Sequence, residues 1–203
     1  MNPTRLARWS RARLAGRTLG TPGPILSVPI VPQSTDFSCG AAALLACLKY
    51  WLGPDGLPSN EDALWALLGT NPVEGTMPEP IAGVARALGL SAEVRDGMTT
   101  RDVPGLLADG VTAVLAVQAW GEDPETYDKS DKDGHWVVLV GADEETARLM
   151  DPSSPAGYTH MDLADLARRW RDLDAGRPRP GLAVLIKSGG IDAPALATPR
   201  QTG

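Results

Sequence analysis

The stretch that decides the fold is QSTDFSCGAAALLACL, residues 33–48, in which a polar segment runs directly into an apolar, alanine-rich one. Alanine and leucine favour helices, so the second part predicts a helix that begins at Cys39 and stops at Gly53-Pro54. A thiol at a helix start lies near free backbone N–H groups and a partial positive charge, and both favour the thiolate. Gln33, six residues upstream, supplies an amide that can donate to a developing oxyanion.

Two motifs in the second half of the chain supply the other groups that a cysteine nucleophile needs. Gly134-His135-Trp136 opens a strand-like run, and Asp151-Pro152 closes the next one. His135 can take the proton of the thiol and later give it to the leaving group. Asp151 can fix the tautomer of the ring. A hairpin formed by the two runs would bring both side chains together.

Each of these residues also has an ordinary structural interpretation, which the sequence leaves open. A free cysteine is often a small buried hydrophobe, and Cys47, in the interior of the same helix, is assigned to the core. A histidine that opens a buried strand is often structural. Asp151 before a proline can simply form a turn, and Gln33 can face solvent. The other histidine, His160, has no Asp-Pro partner, so we favour His135 as the base.

The predicted elements run helices first and sheet second. Helices are predicted over residues 39–52, 61–68, 77–88, 100–108 and 161–173, and strands over 25–31, 92–95, 111–117, 135–141, 147–150 and 182–187. This order indicates an α+β fold in which an N-terminal helical half packs on a mostly antiparallel β-sheet half. We expect a flexible basic N-terminal arm over residues 1–24, one domain over 25–187 and a disordered C-terminal tail over 188–203.

Charge is divided unevenly along the chain. The net charge is −6, but residues 1–17 hold five arginines and no acid, so the remaining 14 basic and 25 acidic side chains give the rest −11. An acidic body repels phosphates, which argues against nucleic-acid binding and fits a cationic or neutral substrate. The basic arm is either a free tail, which we favour, or a weak contact with a membrane or partner.

The cysteines and the hydropathy pattern predict a cytoplasmic location. We find no run of 18 apolar residues that would form a transmembrane segment and no apolar signal-peptide core. Cys39 and Cys47 are eight residues apart in one predicted helix, which places their Cα atoms roughly 12 Å apart. That separation is too large for a disulfide, and reduced thiols are typical of the cytoplasm.

An acidic loop over residues 121–134 lies directly before His135. Within it, residues 131–134, DKDG, hint at a calcium loop. Lys129 and Val140 occupy its first and twelfth positions, however, where an EF-hand needs acidic ligands. We therefore predict no metal ion and no other cofactor.

The same loop is either a solvated surface, the interpretation we favour, or a rim that recruits a positively charged group of the substrate. Its position directly before His135 supports the second. The candidate substrate-binding residues are Trp120, Asp131, Asp133 and Gly134. Trp136 follows the base in an alternating strand, so it points to the opposite face and is assigned to the core.

Taken together, these motifs resemble those of papain-like cysteine peptidases. More narrowly, they resemble the bacteriocin leader-processing branch, which occurs as N-terminal domains of some ABC exporters and as free-standing domains. The resemblance rests on QSTDFSCG at residues 33–40, GHWVVLVG at 134–141 and LMDP at 149–152. It covers roughly residues 27–187, nearly the whole predicted domain.

The resemblance implies a bacterial peptidase with a catalytic triad of Cys39, His135 and Asp151. The oxyanion hole would be formed by the Gln33 side chain and the backbone N–H of Cys39. Exporter-linked members often carry an acidic residue directly before the nucleophile, whereas this chain has Ser38. This difference bears on whether the chain cleaves leader peptides more than on its fold.

The leading hypothesis is a cysteine peptidase that cleaves an amide bond through a thioester acyl-enzyme. One alternative is a papain-like acyltransferase, in which an amine instead of water captures the acyl group. Another is a catalytically silent module that binds a peptide or a partner. A binding module needs none of the four proposed catalytic residues, which favours the enzyme. The expected partner is a peptide or a small amide or acyl substrate.

Overall fold

The helices lie mainly in the first half of the chain and the sheet mainly in the second, as the sequence predicts. The computed structural model describes residues 25–119, 133–154, 157–174 and 176–190. Its helices are α1 (Cys39–Leu52), α2 (Trp65–Leu68), α3 (Pro78–Ala87), α4 (Val103–Ala108) and α5 (Leu163–Arg169), with a 3-10 turn (Glu61–Leu64) leading into α2. The strands are β1 (Ser91–Arg95), β2 (Thr112–Gln118), β3 (Gly134–Ala142), β4 (Thr146–Met150), β5 (Thr159–Asp162), β6 (Arg171–Asp174), β7 (Arg177–Pro180) and β8 (Ala183–Lys187).

Among the described strands, six form one antiparallel sheet in the order β1-β8-β2-β3-β4-β5. Strands β6 and β7 pair with each other, and a bridge between Trp170, directly before β6, and Val117 joins this ribbon to β2. Strands β3 and β4 form the predicted hairpin, with Val138 opposite Met150. His135, near the start of β3, and Asp151, directly after β4, therefore lie at the same end of the sheet.

Helix α1 is the centre of the helical half. Residues 41–48 are fully buried, because α1 packs against β3, the 3-10 turn and α3. A helix that is apolar all round has to be enclosed in this way. Near its C-terminus, Trp51 Nε1 donates to Thr112 Oγ1 on β2 at 2.9 Å, which attaches the helix to the sheet.

Two of the predicted elements are wrong. Residues 26–31 are not part of any strand. Leu26 N–H donates to Val140 O at 2.7 Å, but Val28 N–H donates back to Leu26 O at 2.8 Å, and Pro29 has no N–H with which to continue a ladder. The helix predicted over 161–173 shrinks to α5, flanked by β5 and β6. Both flanks pair with other strands, β4 and β7 respectively, and this tertiary pairing overrides the local helical pattern.

The predicted arm and tail lie mostly outside the described residues, which exclude 1–24 and 191–203, so both stay predictions. The first residues of the predicted tail are described, and Gly189 lies close against the carbonyl of Gly89. The chain is thus still packed on the domain just after β8. In the part of the chain that the structure describes, no helix has the length and apolar character needed to cross a membrane.

Candidate active site

Cys39 is the first residue of α1, and the residues around it leave little free space. It is 7% exposed and lines a cleft. A side chain at the next position would not fit, because a Cβ on Gly40 would lie 2.7 Å from Thr76 Cβ and 2.9 Å from Trp136 Cδ1. Trp136 Nε1 donates to Thr76 O at 2.9 Å, which fixes this wall. The Cys-Gly pair therefore marks the point where α1, the loop before α3 and β3 meet.

His135 contacts both Cys39 and Asp151. Its Nε2 lies 2.8 Å from Asp151 Oδ1, and the ring also makes a hydrogen bond with the side chain of Cys39. Because Nε2 faces the carboxylate, Nδ1 is the nitrogen left for the sulfur. His135 is 3% exposed and Asp151 5%, so water screens these contacts weakly. The structure thus brings together the three residues that the sequence suggested as a triad.

The electrostatics of this group favour a protonated imidazole. Burial alone would lower the pKa of His135, but the charge of Cys39 and the hydrogen bonds with Asp151 and Cys39 raise that pKa to about 10. Burial would raise the pKa of Asp151, yet hydrogen bonds from His135 and Ser153 hold it below its ordinary value. Ser153 donates to Asp151 Oδ1 through its N–H at 2.9 Å and its hydroxyl at 2.7 Å. At neutral pH, an imidazolium therefore lies between the sulfur and a carboxylate.

Gln33 lies on the loop before α1 and is attached to the segment that carries Asp151. Its backbone N–H donates to Pro152 O at 2.9 Å, and its Nε2 donates to Thr35 O at 2.6 Å. Its Oε1 is buried and has no hydrogen-bond partner among the described residues. An amide nitrogen carries two hydrogens, but Gln33 is not among the residues that line the cleft at Cys39, so its role as an oxyanion donor stays a prediction.

A cleft of about 260 Å³ opens at Cys39. Gly134, one of the predicted substrate-binding residues, lines it. So does Trp136, which is 5% exposed and was assigned to the core: it is buried as predicted but also forms a wall of the cleft. The lining residues are Asp36, Phe37, Cys39, Pro72, Val73, Glu74, Gly75, Thr76, Met77, Pro78, Gly134, Trp136, Asp172, Leu173 and Leu182.

The other predicted substrate-binding residues are not placed in this lining. The backbone N–H of Asp133 donates to Gln118 Oε1 at 3.0 Å, which fixes the start of β3, and Asp133 is not among the lining residues. Trp120 and Asp131 lie outside the described residues, so their role stays a prediction.

The sequence reasoning missed three acids that line the cleft: Asp36, Glu74 and Asp172. Asp36 was within the quoted stretch, and its position three residues before Cys39 could have indicated that it lies beside the nucleophile. Asp172 was hidden because its segment was predicted as helix. Asp172 lies in β6 and packs against the start of β3, where a Cβ on Gly134 would lie 2.8 Å from Asp172 Oδ1. The described lining residues include no lysine, arginine or histidine.

The second thiol and the second imidazole lie elsewhere. Cys47 is fully buried in α1, and burial raises the pKa of its thiol to about 12, as suits a core residue. His160 is exposed on β5, and partial burial together with the charge of Arg148 lowers its pKa. Within the described ranges, no group of three or more His, Cys, Asp or Glu side chains is placed to hold a metal ion.

Comparisons with known proteins agree with this geometry. The Peptidase_C39 like family model matches residues 25–176, whereas no curated protein matches the sequence. A putative C39-like peptidase from Bacillus anthracis has a TM-score of 0.61 at 17% identity, covering 81% of this chain and 97% of that one. The peptidase domain of Streptococcus ComA, a bi-functional ABC transporter of a quorum sensing pathway, has a TM-score of 0.57 at 20% identity, covering 79% and 98%.

A third similar structure is a double glycine motif protease from an AMS/PCAT transporter, solved in complex with the leader peptide. Its TM-score is 0.56 at 19% identity, covering 81% of this chain and 94% of that one. At these identities the structural matches show a shared fold, while the family model extends over most of the chain. The protein therefore belongs to the Peptidase_C39 like family and is a papain-like cysteine peptidase, which confirms the expectation drawn from its motifs.

Proposed function

We propose that this peptidase cleaves a peptide after a pair of small residues such as Gly-Gly, with Cys39 as nucleophile, His135 as base and acid, and Asp151 as the orienting group. The observation that carries the proposal is that His135 contacts both the Cys39 sulfur and the Asp151 carboxylate, while Cys39 also lines the cleft. The bond type is suggested by one similar structure, a double glycine motif protease bound to a leader peptide.

In the first half of the reaction, the Cys39 sulfur attacks the scissile carbonyl carbon. A C–S bond forms while the carbonyl electron pair moves onto oxygen, where the Gln33 amide and the Cys39 N–H donate to it. One such donor lowers the barrier by about 3–4 kcal/mol. The C–N bond then breaks, and His135 gives its proton to the departing amine, which leaves a thioester.

In the second half, water replaces the amine. His135, now neutral, accepts a proton from water as the oxygen attacks the thioester carbon. The C–S bond breaks, the acid product leaves, and the proton on His135 restores the starting imidazolium beside the sulfur. The three hydrogen bonds that Asp151 Oδ1 accepts hold the ring orientation through both halves.

The charges around the cleft favour a peptide with a basic residue beside the scissile bond. Asp36 and Glu74 are exposed and Asp172 is half-buried, and all three line the same cleft. Such a rim attracts a cation through water-screened interactions, so its effect on affinity is modest and decreases with salt.

We also propose that the protein acts in the cytoplasm. Both of its cysteines are free, and a nucleophilic thiol has to stay reduced to react, as it does in that compartment. The arginines of residues 1–17 would add a weak attraction to an anionic surface or an acidic partner.

The test uses two synthetic peptides with a central Gly-Gly, which differ only in carrying Lys or Glu directly after the pair. Wild type, Cys39→Ala and the matched control Cys47→Ala are incubated with each peptide, and the products are weighed by mass spectrometry. We expect cleavage after Gly-Gly by wild type and Cys47→Ala but not by Cys39→Ala. We expect KM to be about threefold lower for the Lys peptide, with the difference disappearing at 1 M salt.

Three outcomes would contradict parts of the proposal. Binding of both peptides without cleavage would indicate a silent module. An amide product formed with an added amine, in place of the free acid, would indicate an acyltransferase. Equal KM values for the two peptides would remove the role of the acidic rim while leaving the triad intact.

A further inference from the structure

Glu61 is an acid buried next to the nucleophile loop but outside the reacting group. It opens the 3-10 turn before α2 and is 1% exposed. Acidic side chains are almost never this buried unless they are paired. Among the residues that the structure describes, no basic side chain forms an ion pair with Glu61, so other interactions have to account for its position.

The carboxylate of Glu61 accepts hydrogen bonds from the loop that precedes α1. Its Oε1 accepts from Ser34 N–H at 2.6 Å, from the Ser34 hydroxyl at 2.7 Å and from the Ser38 hydroxyl at 2.8 Å. Ser38 Oγ in turn accepts from Thr35 N–H at 3.2 Å. One oxygen atom of Glu61 thus holds the loop before α1 against the 3-10 turn, although Ser34 and Ser38 are 27 and 23 residues away from it in sequence.

The two serines flank the groups that are proposed to do the chemistry. Ser34 directly follows Gln33, and Ser38 directly precedes Cys39. Ser38 is the N-cap of α1 but makes no side-chain bond to the helix, because its hydroxyl is directed to Glu61 instead. The position of the sulfur and that of the oxyanion donor therefore depend on the same carboxylate.

A purely structural role does not explain why this group is ionised. Burial opposes its charge, but the hydrogen bonds from Ser34 and Ser38 lower the pKa of Glu61. Its second oxygen, Oε2, is buried without a hydrogen-bond partner among the described residues. A buried carboxylate with a free oxygen is costly, so the three hydrogen bonds to Oε1 have to compensate for that cost.

We propose that Glu61 is a positioning residue, which holds Gln33 and Cys39 in the geometry needed for attack through its bonds to Ser34 and Ser38. The inference rests on the proposed function, since it assumes that these two residues react with substrate. Hydrogen bonds to a charged acceptor are shorter and stronger than neutral ones, so the charge tightens the loop.

The test compares Glu61→Gln with Asp62→Asn. Asp62 is the exposed neighbour in the same turn, so its variant removes one negative charge without touching the loop. We expect Glu61→Gln to lower kcat at least tenfold with KM within twofold, because a small misplacement of reacting groups costs up to about 100-fold. Asp62→Asn should match wild type. All rates are measured well below the unfolding temperature of each variant.

A second readout needs no substrate. The rate of alkylation of Cys39 by iodoacetamide should fall in Glu61→Gln and stay unchanged in Asp62→Asn. If wild type cleaves no peptide, the proposed function fails, while this rate still decides the role of Glu61. Combining Ser38→Ala with Glu61→Gln should give less than the sum of the two single effects on log kcat, since Ser38→Ala removes and Glu61→Gln weakens the same Ser38–Glu61 hydrogen bond.

The inference is overturned if Glu61→Gln lowers the unfolding temperature but leaves both kcat and the alkylation rate equal to those of Asp62→Asn. It is also overturned if the Ser38 and Glu61 effects are additive. Should Glu61→Gln fail to fold, Ser34→Ala and Ser38→Ala each remove a bond to the same oxygen. Unchanged kcat and alkylation rates in both serine variants would then refute the positioning role.

Discussion

Replacing Asp151 with asparagine should lower the pKa of His135 by an amount that can be measured directly. Asparagine keeps the shape of the side chain and can still accept from Ser153, but it carries no charge. A contacting opposite charge shifts a pKa by about 1–3 units. The pKa of about 10 should therefore fall to about 9 or below, which is a loss of at least about 1.4 kcal/mol in preference for the imidazolium.

The assay is an NMR titration of the imidazole rings, which suits this chain because it contains only two histidines. His160 is exposed on β5 and has a pKa below its ordinary value, so its signal is an internal control that should not move in Asp151→Asn. In Cys39→Ala the pKa of His135 should fall further, because the charge of Cys39 contributes most to raising it. Circular dichroism confirms that each variant stays folded across the pH range.

The raised pKa of His135 also makes stability and activity depend on pH. The pKa of His135 is raised above its ordinary 6.5, so the charged ring stabilises the fold fully below pH 6.5 and loses that effect as pH rises through about 10. The alkaline limit of kcat/KM should follow the same titration and move to lower pH in Asp151→Asn. An unchanged His135 titration in Asp151→Asn would refute the assigned role of the carboxylate.

Further predictions concern packing and the support of the triad. Gly40→Ala should lower the free energy of unfolding by about 1–3 kcal/mol in urea titrations, because its Cβ would meet Thr76. The matched control Gly83→Ala, in α3 with no atom within 4 Å of its Cβ, should raise it by about 0.5–1 kcal/mol; equal effects would contradict the packing argument. Ser153→Ala should lower the free energy of unfolding by about 1.5–3 kcal/mol at pH 7. Because the pKa of Asp151 lies below its ordinary 3.8, this loss should shrink as the pH falls below 3.8. A loss that does not change with pH would contradict the role of Ser153 in stabilising the charged carboxylate.

The part of the site that was predictable from sequence is the part encoded by local pattern. The helix predicted over residues 39–52 matches α1, because its alanines and leucines favour helix and Gly53 ends it. The continuous apolar run WVVLV after His135 predicted β3, and the turn after it predicted the hairpin to β4. Those two elements were enough to place His135 and Asp151 at one end of the sheet.

The part that was not predictable depends on contacts between distant segments. Glu61 looked like an acid in the first turn of a helix, and only the folded chain shows that it bonds Ser34 and Ser38. Asp172 carried no signal, because the pattern of 161–173 fits a helix and the partner that makes it a strand, β7, contains two prolines. Proline disfavours interior strand positions, so no local pattern indicated that pairing.

The contact at Gly40 explains how two reactive groups from different halves keep their separation. Cys39 precedes Gly40 in α1, and His135 precedes Trp136 in β3, so each reactive residue is one peptide unit from the place where the indole packs against the glycine. Neighbouring Cα atoms are about 3.8 Å apart, so a backbone displacement at this contact would also move the Cα atoms of Cys39 and His135. The starting points of both reactive side chains would then shift relative to each other. On this argument the absence of a side chain at position 40 sets the distance between nucleophile and base, and the Cys-Gly pair is a requirement of the chemistry as well as of the helix.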